Sequence, residues 1–197
     1  MILKIDPVSN IHGTVELPAS KSYSIRAFFV SACGGKSLII APSDCDDAKV
    51  AMKVASSLGA KVRKVQNGLV VDAGVGSRRK RHLKVDVGES GTSLRFVLPL
   101  LPFYAATADV FGKGTLVGRP NHHLAETLRL AGLDIKGVGL RESVPVTYRG
   151  GELAGGRIVI DGSVSSQFIS ALMIACPRAR ENTRLVMEGK TLVSRDY

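Results

Sequence analysis

The chain has 197 residues, of which 45% are hydrophobic and 22% charged, and this composition excludes an intrinsically disordered protein. Its longest apolar runs, such as 96–106 with Pro99 and Pro102, are too short to span a membrane. The net charge of +10 favours anionic partners, which are nucleic acid, acidic membrane surfaces or small phosphorylated and carboxylated substrates. Because only 5% of residues are aromatic and none is tryptophan, base stacking is poorly supported and we do not expect a nucleic-acid partner.

The N-terminus and the cysteines both favour a cytoplasmic protein. The first residues, MILKIDPVSN, lack the apolar region and cleavage site of a secretory signal. Three cysteines, an odd number without metal-ligand spacing, predict reduced and mostly buried thiols at Cys33, Cys45 and Cys176. The adjacent His122 and His123 cannot share a helix face, so we predict no metal site.

Three segments begin with Ser, Thr and Gly and continue directly into an apolar helix, with a period of about 70 residues. They are 20–26 followed by AFFVSAC, 88–95 followed by FVLPLL, and 162–168 followed by ISALMIAC. Hydroxyl side chains stand where helix N-caps belong. The helices are apolar nearly all round, so we predict that they are buried.

Amphipathic helices and short strands fill the intervals between these segments. The helices are predicted at 44–59 and 120–132, each ending at a glycine that serves as a C-cap. Strands are predicted at 37–40, 61–65, 69–72, 83–87, 108–111, 133–136, 144–148, 157–160 and 184–187. The basic block formed by Arg78, Lys80, Arg81 and His82 is interpreted as a solvated loop.

These elements predict an α/β fold built from repeated βαβαββ units. Two units are complete, and the third has its buried helix and the following strand. Its amphipathic helix is due at 192–197, where the sequence ends. We therefore interpret the chain as a portion of a longer protein.

The starts of the buried helices are candidate anion sites, because backbone N–H groups and the positive end of the helix dipole gather there. The polar residues at these starts are Lys21, Ser22 and Arg26; Ser90, Gly91, Thr92 and Arg95; and Ser165, Ser166 and Gln167. Arg119, in a Gly-Arg-Pro turn, adds a cation at the start of an amphipathic helix. Simple capping is the alternative for any one of them, but three in register favour anion binding.

No catalytic group emerges from the residues alone. A nucleotide-binding P-loop and a nucleophile elbow are both missing from the sequence. Asp44, Asp46 and Asp47 fit the N-terminal turn of a helix better than an acid–base pair. The residues alone thus predict a repeat fold that binds small anions.

Five motifs resemble those of the 5-enolpyruvylshikimate-3-phosphate synthase family. They are LPASKSYSIRA at 17–27, GESGTSLR at 88–95, GRP at 118–120 with LRLAG at 128–132, SSQF at 165–168 with SAL at 170–172, and SRDY at 194–197. All five occur in the family's order. The related UDP-N-acetylglucosamine enolpyruvyl transferases are less similar, since a GAKN-type string replaces SKS in the first motif.

The resemblance implies an inside-out α/β barrel lobe, one of two in the family, with helices packed inside and sheets outside. Residues 18–197 would form the first lobe, with the third unit incomplete, and 1–17 a strand segment belonging to the other lobe. The implied reaction transfers the enolpyruvyl group of phosphoenolpyruvate to the 5-hydroxyl of shikimate 3-phosphate and releases phosphate. It belongs to the shikimate pathway to chorismate and aromatic amino acids, and implies no metal or organic cofactor.

The resemblance also assigns binding residues by position. Shikimate 3-phosphate would contact Lys21, Ser22, Arg26, Ser165, Ser166, Gln167, Ser194 and Tyr197. Phosphoenolpyruvate would contact Lys21, Gly91 through its N–H, Arg119 and Gln167. Glu89 departs from the Asn of many members, and a carboxylate there would repel phosphoenolpyruvate unless it is turned away or paired.

The family's acid–base residues belong to its second lobe, so this chain's catalytic residues stay unassigned. We expect the chain to bind substrate weakly and to need a C-terminal half for turnover, because the lobes must close over the substrates. Two other hypotheses remain, a basic nucleic-acid-binding module with the same fold and a non-catalytic regulatory or interaction remnant, so the alternative function is anion or nucleic-acid binding without catalysis.

Overall fold

The computed structural model describes residues 3–4, 6–74, 79–189 and 193. The helices are Lys21–Ala32 (α1), Asp46–Ser57 (α2), Gly91–Val97 (α3), Leu101–Tyr104 (α4), His122–Leu130 (α5) and Ser166–Ala175 (α6). The strands are Gly35–Ile40 (β1), Lys61–Val65 (β2), Gly68–Gly74 (β3), Lys80–Asp86 (β4), Ala105–Phe111 (β5), Leu133–Val138 (β6), Ser143–Gly151 (β7), Gly156–Asp161 (β8) and Thr183–Glu188 (β9). Short 3-10 turns cover Leu98–Leu100, Gly114–Leu116 and Cys176–Arg178.

Within the described residues, the strands form three sheets that repeat one pattern. Their orders are β1-β3-β2, β4-β5-β7-β6 and β8-β9. The pairs β4–β5 and β8–β9 are parallel, and the others are antiparallel. The four-stranded sheet therefore combines a parallel pair like β8–β9 with an antiparallel set of three strands like β1-β3-β2. This confirms the predicted α/β architecture of repeated βαβαββ units.

Helices α1, α3 and α6, the inner helices, pack against one another and form the centre of the core. Phe29 of α1 meets Phe96 of α3 edge to face, with ring centroids 5.4 Å apart, and both side chains are fully buried. Phe168 of α6 is also buried. Burying one such side chain contributes about 1.5–3 kcal/mol. These contacts fix the relative positions of the three helix starts that the sequence singles out.

The second inner helix differs from the single apolar helix that the sequence predicts. It is divided into α3, a 3-10 turn and α4, with Pro99 in the turn and Pro102 near the start of α4. Proline has no N–H to donate and its ring clashes with the preceding turn, so a continuous α-helix cannot form here. The divided helix ends at the buried Tyr104.

The basic block is not the solvated loop that its charge suggests. Lys80, Arg81 and His82 begin β4, which pairs in parallel with β5, while Arg78 lies outside the described residues. The Nδ1 atom of His82 lies 2.9 Å from Thr107 Oγ1 on β5. This error arose because strand pairing depends on a partner that charge patterning does not reveal. Exposed cations on an edge strand discourage pairing with other chains.

The three cysteines are free, as predicted, but each is half-buried rather than mostly buried. Desolvation raises the pKa of the thiols of Cys33 and Cys176. Residues 6–20 are exposed and form neither helix nor strand. In the described part of the chain, no helix has both the length and the apolar character needed to cross a membrane.

Candidate active site

Ser20 and Lys21 form the start of α1. The Ser20 side chain caps the helix by accepting a hydrogen bond from the Tyr23 N–H. Lys21 Nζ lies 3.0 Å from Asp47 Oδ2 in the first turn of α2, and the lysine side chain is 56% exposed. Such an exposed ion pair contributes about 0–1 kcal/mol, so a bound anion can compete with Asp47 for the ammonium group.

Arg26 connects the inner helices one turn further along α1. Its guanidinium donates to the Ser22 carbonyl (3.2 Å) and to Ser170 Oγ on α6 (3.0 Å). It also lies 5.3 Å from the centroid of the Phe96 ring on α3. The side chain is half-buried, so the guanidinium is held in one orientation beside the helix starts.

Arg95 of α3 joins its helix to the first turn of α6. Its Nη1 donates to Gln167 Oε1, and its guanidinium lies 5.1 Å from the Phe168 ring centroid. Burial, followed by the charge of Arg119, lowers the pKa of Arg95. The site therefore holds two guanidinium groups that repel each other, and an anion between them would offset this repulsion.

Hydroxyl groups cap the second and third inner helices. Ser90 Oγ accepts from the Ser93 N–H at the start of α3. Ser165 Oγ accepts from the Gln167 N–H at the start of α6. Ser165, Ser166 and Gln167 are half-buried, so their polar groups remain partly accessible to a ligand.

Arg119, which follows the Gly114–Leu116 turn, faces the start of α3. Its Nε donates to the Thr115 carbonyl (3.0 Å) and its Nη2 to Thr115 Oγ1 (3.2 Å). A methyl group added at Gly91 would lie 3.3 Å from Arg119 Nη1. The absence of a side chain at Gly91 therefore lets the guanidinium approach the helix backbone closely.

Glu89 is paired with Thr115. Its Oε2 accepts from the N–H (3.0 Å) and from the hydroxyl (3.1 Å) of Thr115. These two bonds, together with the charges of Lys113 and Arg119, lower the pKa of the Glu89 carboxyl. The Glu89 carboxylate is therefore paired, which is the condition under which we expect it not to repel phosphoenolpyruvate.

A comparison with models of protein families identifies the family of this chain. The model of EPSP synthase (3-phosphoshikimate 1-carboxyvinyltransferase) matches residues 5–196. The chain belongs to the EPSP synthase family. This confirms the resemblance inferred from the five motifs.

Individual members of the EPSP synthase family are similar to the chain in sequence and in structure. The chain is 36% identical to 3-phosphoshikimate 1-carboxyvinyltransferase of Methanococcoides burtonii, over 96% of this chain and 44% of that protein. It is 33% identical to the protein of the same name from Pseudoalteromonas translucida, over 99% and 46%. EPSP synthase from Acinetobacter baumannii is similar in structure, with a TM-score of 0.75 and 25% identity over 91% of this chain and 41% of that one. The chain thus spans under half the length of these relatives.

The structure brings most of the residues assigned by the EPSP synthase motifs to the starts of the inner helices and the adjoining Arg119 turn. Ser194 and Tyr197 lie outside the described residues. Sequence reasoning missed three supporting groups, which are Asp47 beside Lys21, Ser170 beside Arg26 and Thr115 beside Arg119. Only Ser170 carried a signal, since it belongs to one of the motifs. Among the described residues, no group of three His, Cys, Asp or Glu side chains could hold a metal ion.

Proposed function

We propose that the chain is the substrate-binding N-terminal portion of a cytoplasmic 3-phosphoshikimate 1-carboxyvinyltransferase. The whole enzyme would transfer the enolpyruvyl group of phosphoenolpyruvate to the 5-hydroxyl of shikimate 3-phosphate, with release of phosphate, on the pathway to chorismate and aromatic amino acids. The observation that carries this proposal is the linkage of the three inner helices by Arg26 and Arg95 in a chain of this family.

Shikimate 3-phosphate would lie between the starts of α1 and α6. The hydroxyls of Ser165 and Ser166 and the N–H groups of α6 suit its 3-phosphate, with Ser194 completing this set. Ser22 and Arg26 would hold the side that carries the carboxylate, and Lys21 would contact both substrates. Tyr197 would flank the ring.

Phosphoenolpyruvate would lie beside the start of α3. The Gly91 N–H, Arg119 and Lys21 would bind its charged groups, and Gln167 would lie between the two substrates. Burial and, after it, the charge of Arg119 lower the pKa of Arg95, and a negative charge at this place would offset the part that comes from repulsion between the two guanidinium groups.

This portion would contribute positioning and charge neutralisation to the reaction. Two polyanions repel each other in water, and fixed cations and N–H donors hold them together in one orientation. Proton transfer would come from groups of the C-terminal half, and closure of the two lobes would exclude water. The C-terminal half is therefore the proposed protein partner.

Turnover and binding assays test this assignment together. The chain is mixed with shikimate 3-phosphate and phosphoenolpyruvate, alone or with the C-terminal part of the M. burtonii relative, and phosphate release is followed. We expect a 31P shift of shikimate 3-phosphate with the chain alone and phosphate release only when both parts are present. Full turnover by the isolated chain, or no 31P shift with a folded sample, would contradict the proposal. Salt-dependent RNA binding that survives Lys21→Ala would instead support the nucleic-acid hypothesis.

A further inference from the structure

One edge of the Arg119 guanidinium is already bound within the protein. Its Nε and Nη2 atoms both donate to Thr115, to the carbonyl and the side-chain oxygen respectively. Within the described part of the chain, Nη1 makes no hydrogen bond, and it lies beside Gly91. The edge formed by Nε and Nη2 therefore anchors the guanidinium, and Nη1 remains available to an anion.

Thr115 is in turn held by Glu89. The carboxylate accepts both the backbone N–H and the hydroxyl proton of Thr115 on its Oε2 atom. Because the hydroxyl proton is directed at Glu89, the lone pairs of Thr115 Oγ1 are directed elsewhere and can accept from Arg119. Gly114 allows this approach, since a methyl group added there would lie 2.4 Å from the carboxyl carbon of Glu89.

Glu89 does not act by pairing directly with Arg119. The two charged groups form no ion pair within 4.0 Å, although both side chains belong to the described residues. Burial does not hold Glu89 in place either, because the side chain is exposed. Besides the direct attraction between the two charges, its two bonds to Thr115 are the contacts through which it can influence Arg119.

We propose that Glu89 and Thr115 are positioning residues for Arg119, which keep Nη1 directed at the Gly91 backbone where phosphoenolpyruvate would bind. This inference rests on the proposed function, since Arg119 is a ligand of phosphoenolpyruvate only in that assignment. Glu89 and Thr115 do not touch the substrate themselves. Their effect is to lower the conformational freedom that Arg119 loses on binding.

Repulsion between Glu89 and phosphoenolpyruvate opposes this effect. Glu89 is exposed, and at physiological ionic strength surface charges are screened over about 8 Å. Lys113 and Arg119 also lie close enough to lower its pKa, so part of the charge is offset locally. The orientation of Arg119 is therefore the larger effect, and removing the carboxylate weakens phosphoenolpyruvate binding.

Titration of phosphoenolpyruvate into the full chain saturated with shikimate 3-phosphate tests the positioning role. Thr115→Val keeps the shape but loses the hydroxyl, and we expect the Kd to rise about 3- to 10-fold, the effect of one lost hydrogen bond. Thr115→Ser restores the hydroxyl and the affinity. Glu89→Gln gives a smaller increase, of about 2- to 5-fold. The control Glu126→Gln, an exposed carboxylate on α5, leaves the Kd unchanged.

A second measurement reports on Arg119 without substrate. The Nε–H signal of Arg119, assigned through Arg119→Lys, is followed in 1H–15N spectra. We expect a sharp, slowly exchanging signal that broadens in Thr115→Val and returns in Thr115→Ser. An unchanged signal and Kd in Thr115→Val, or tighter binding in Glu89→Gln, overturns the positioning role. A Kd that is insensitive to Arg119→Lys overturns the proposed function instead, because Arg119 is then no ligand.

Discussion

The two ends of the inner helices are built differently. At the N-terminal ends, Lys21 is exposed and the hydroxyls of Ser165 and Ser166 are partly accessible. At the C-terminal ends, the Tyr104 hydroxyl donates to the Ala32 carbonyl (2.6 Å) and accepts from Arg178 Nη1 (2.7 Å). One end offers polar groups to a ligand, and the other uses them within the protein.

Helix polarity explains this difference. Backbone N–H groups and positive dipole ends accumulate at the starts, where they suit anionic ligands. Carbonyl groups and negative dipole ends accumulate at the other side, where the protein supplies its own cation, Arg178. The Arg178 guanidinium also lies 4.6 Å and 4.9 Å from the ring centroids of Phe103 and Tyr104. The comparison teaches that the C-terminal ends, the closed end, stabilise the packing of the inner helices, whereas the N-terminal ends, the open end, are where we propose that substrate binds.

The closed end should carry the largest effect on stability. Arg178→Ala removes the hydrogen bond to Tyr104 and the contacts with two aromatic rings, so we expect a loss of about 2–3 kcal/mol in the free energy of unfolding. Urea unfolding measures this loss. The control Arg180→Ala removes an exposed cation whose ion pair with Glu181 spans 3.5 Å, and should cost about 0.5 kcal/mol or less. Equal losses in the two variants would contradict a stabilising role for the closed end.

At the open end, Gly91→Ala should weaken phosphoenolpyruvate binding without destabilising the fold. The added methyl group would lie 3.3 Å from Arg119 Nη1 and would displace the guanidinium. We expect a rise of about 5-fold in the Kd for phosphoenolpyruvate, comparable to one disturbed hydrogen bond. Titration calorimetry measures it, with the Kd for shikimate 3-phosphate as the internal control. A parallel loss of both affinities would show a general distortion instead.

Tyr104→Phe removes a single hydroxyl at the closed end and so tests whether stability can change without a change in binding at the open end. The change keeps the ring but leaves the Ala32 carbonyl and Arg178 without the hydroxyl, so we expect a loss of about 1 kcal/mol in stability. The Kd for shikimate 3-phosphate should stay the same. If that Kd changes while the protein remains folded, the two ends are coupled, which would contradict separate roles for them.

Alkaline pH gives the smallest expected effect on stability, and this effect is specific to Tyr104. Burial, with a further contribution from the charge of Cys33, raises the pKa of Tyr104 to about 12, against about 10 in an unfolded chain. The folded state retains the proton longer, so this part of the stability is present below about pH 10 and is lost as pH rises toward 12. Urea unfolding should therefore show the stability advantage of the wild type over Tyr104→Phe shrinking above pH 10. A constant or growing advantage would contradict the shifted pKa.

The open end was largely predictable from sequence because its signals are local. Serines at helix starts, followed by Lys21 or Gln167, are visible within a few residues, and the strand at 61–65 has the predicted bounds. The repeat predicted the chain order of the nine strands that the described residues form. Local signals also misled, as in the basic block that begins β4.

The closed end was not predicted because its contacts join distant parts of the chain. Arg178 and Tyr104 are 74 positions apart, and Tyr104 and Ala32 are 72 apart. No motif or period marks these residues, and only packing of the three inner helices brings them together. The same reason hides Thr115, whose proposed positioning role depends on a hydrogen bond to Glu89, 26 positions away.

The most direct test of the account compares two lysines of equal charge at opposite ends of α1. Lys21 begins the helix at the open end, while Lys36 follows it on β1, is exposed and forms no ion pair within 4.0 Å among the described residues. Calorimetric titration with shikimate 3-phosphate should show at least about a 10-fold weaker Kd for Lys21→Ala, as expected for a lost charged hydrogen bond, and no change for Lys36→Ala. Equal effects of the two substitutions, or none from Lys21→Ala, would contradict the assignment of substrate binding to the open end.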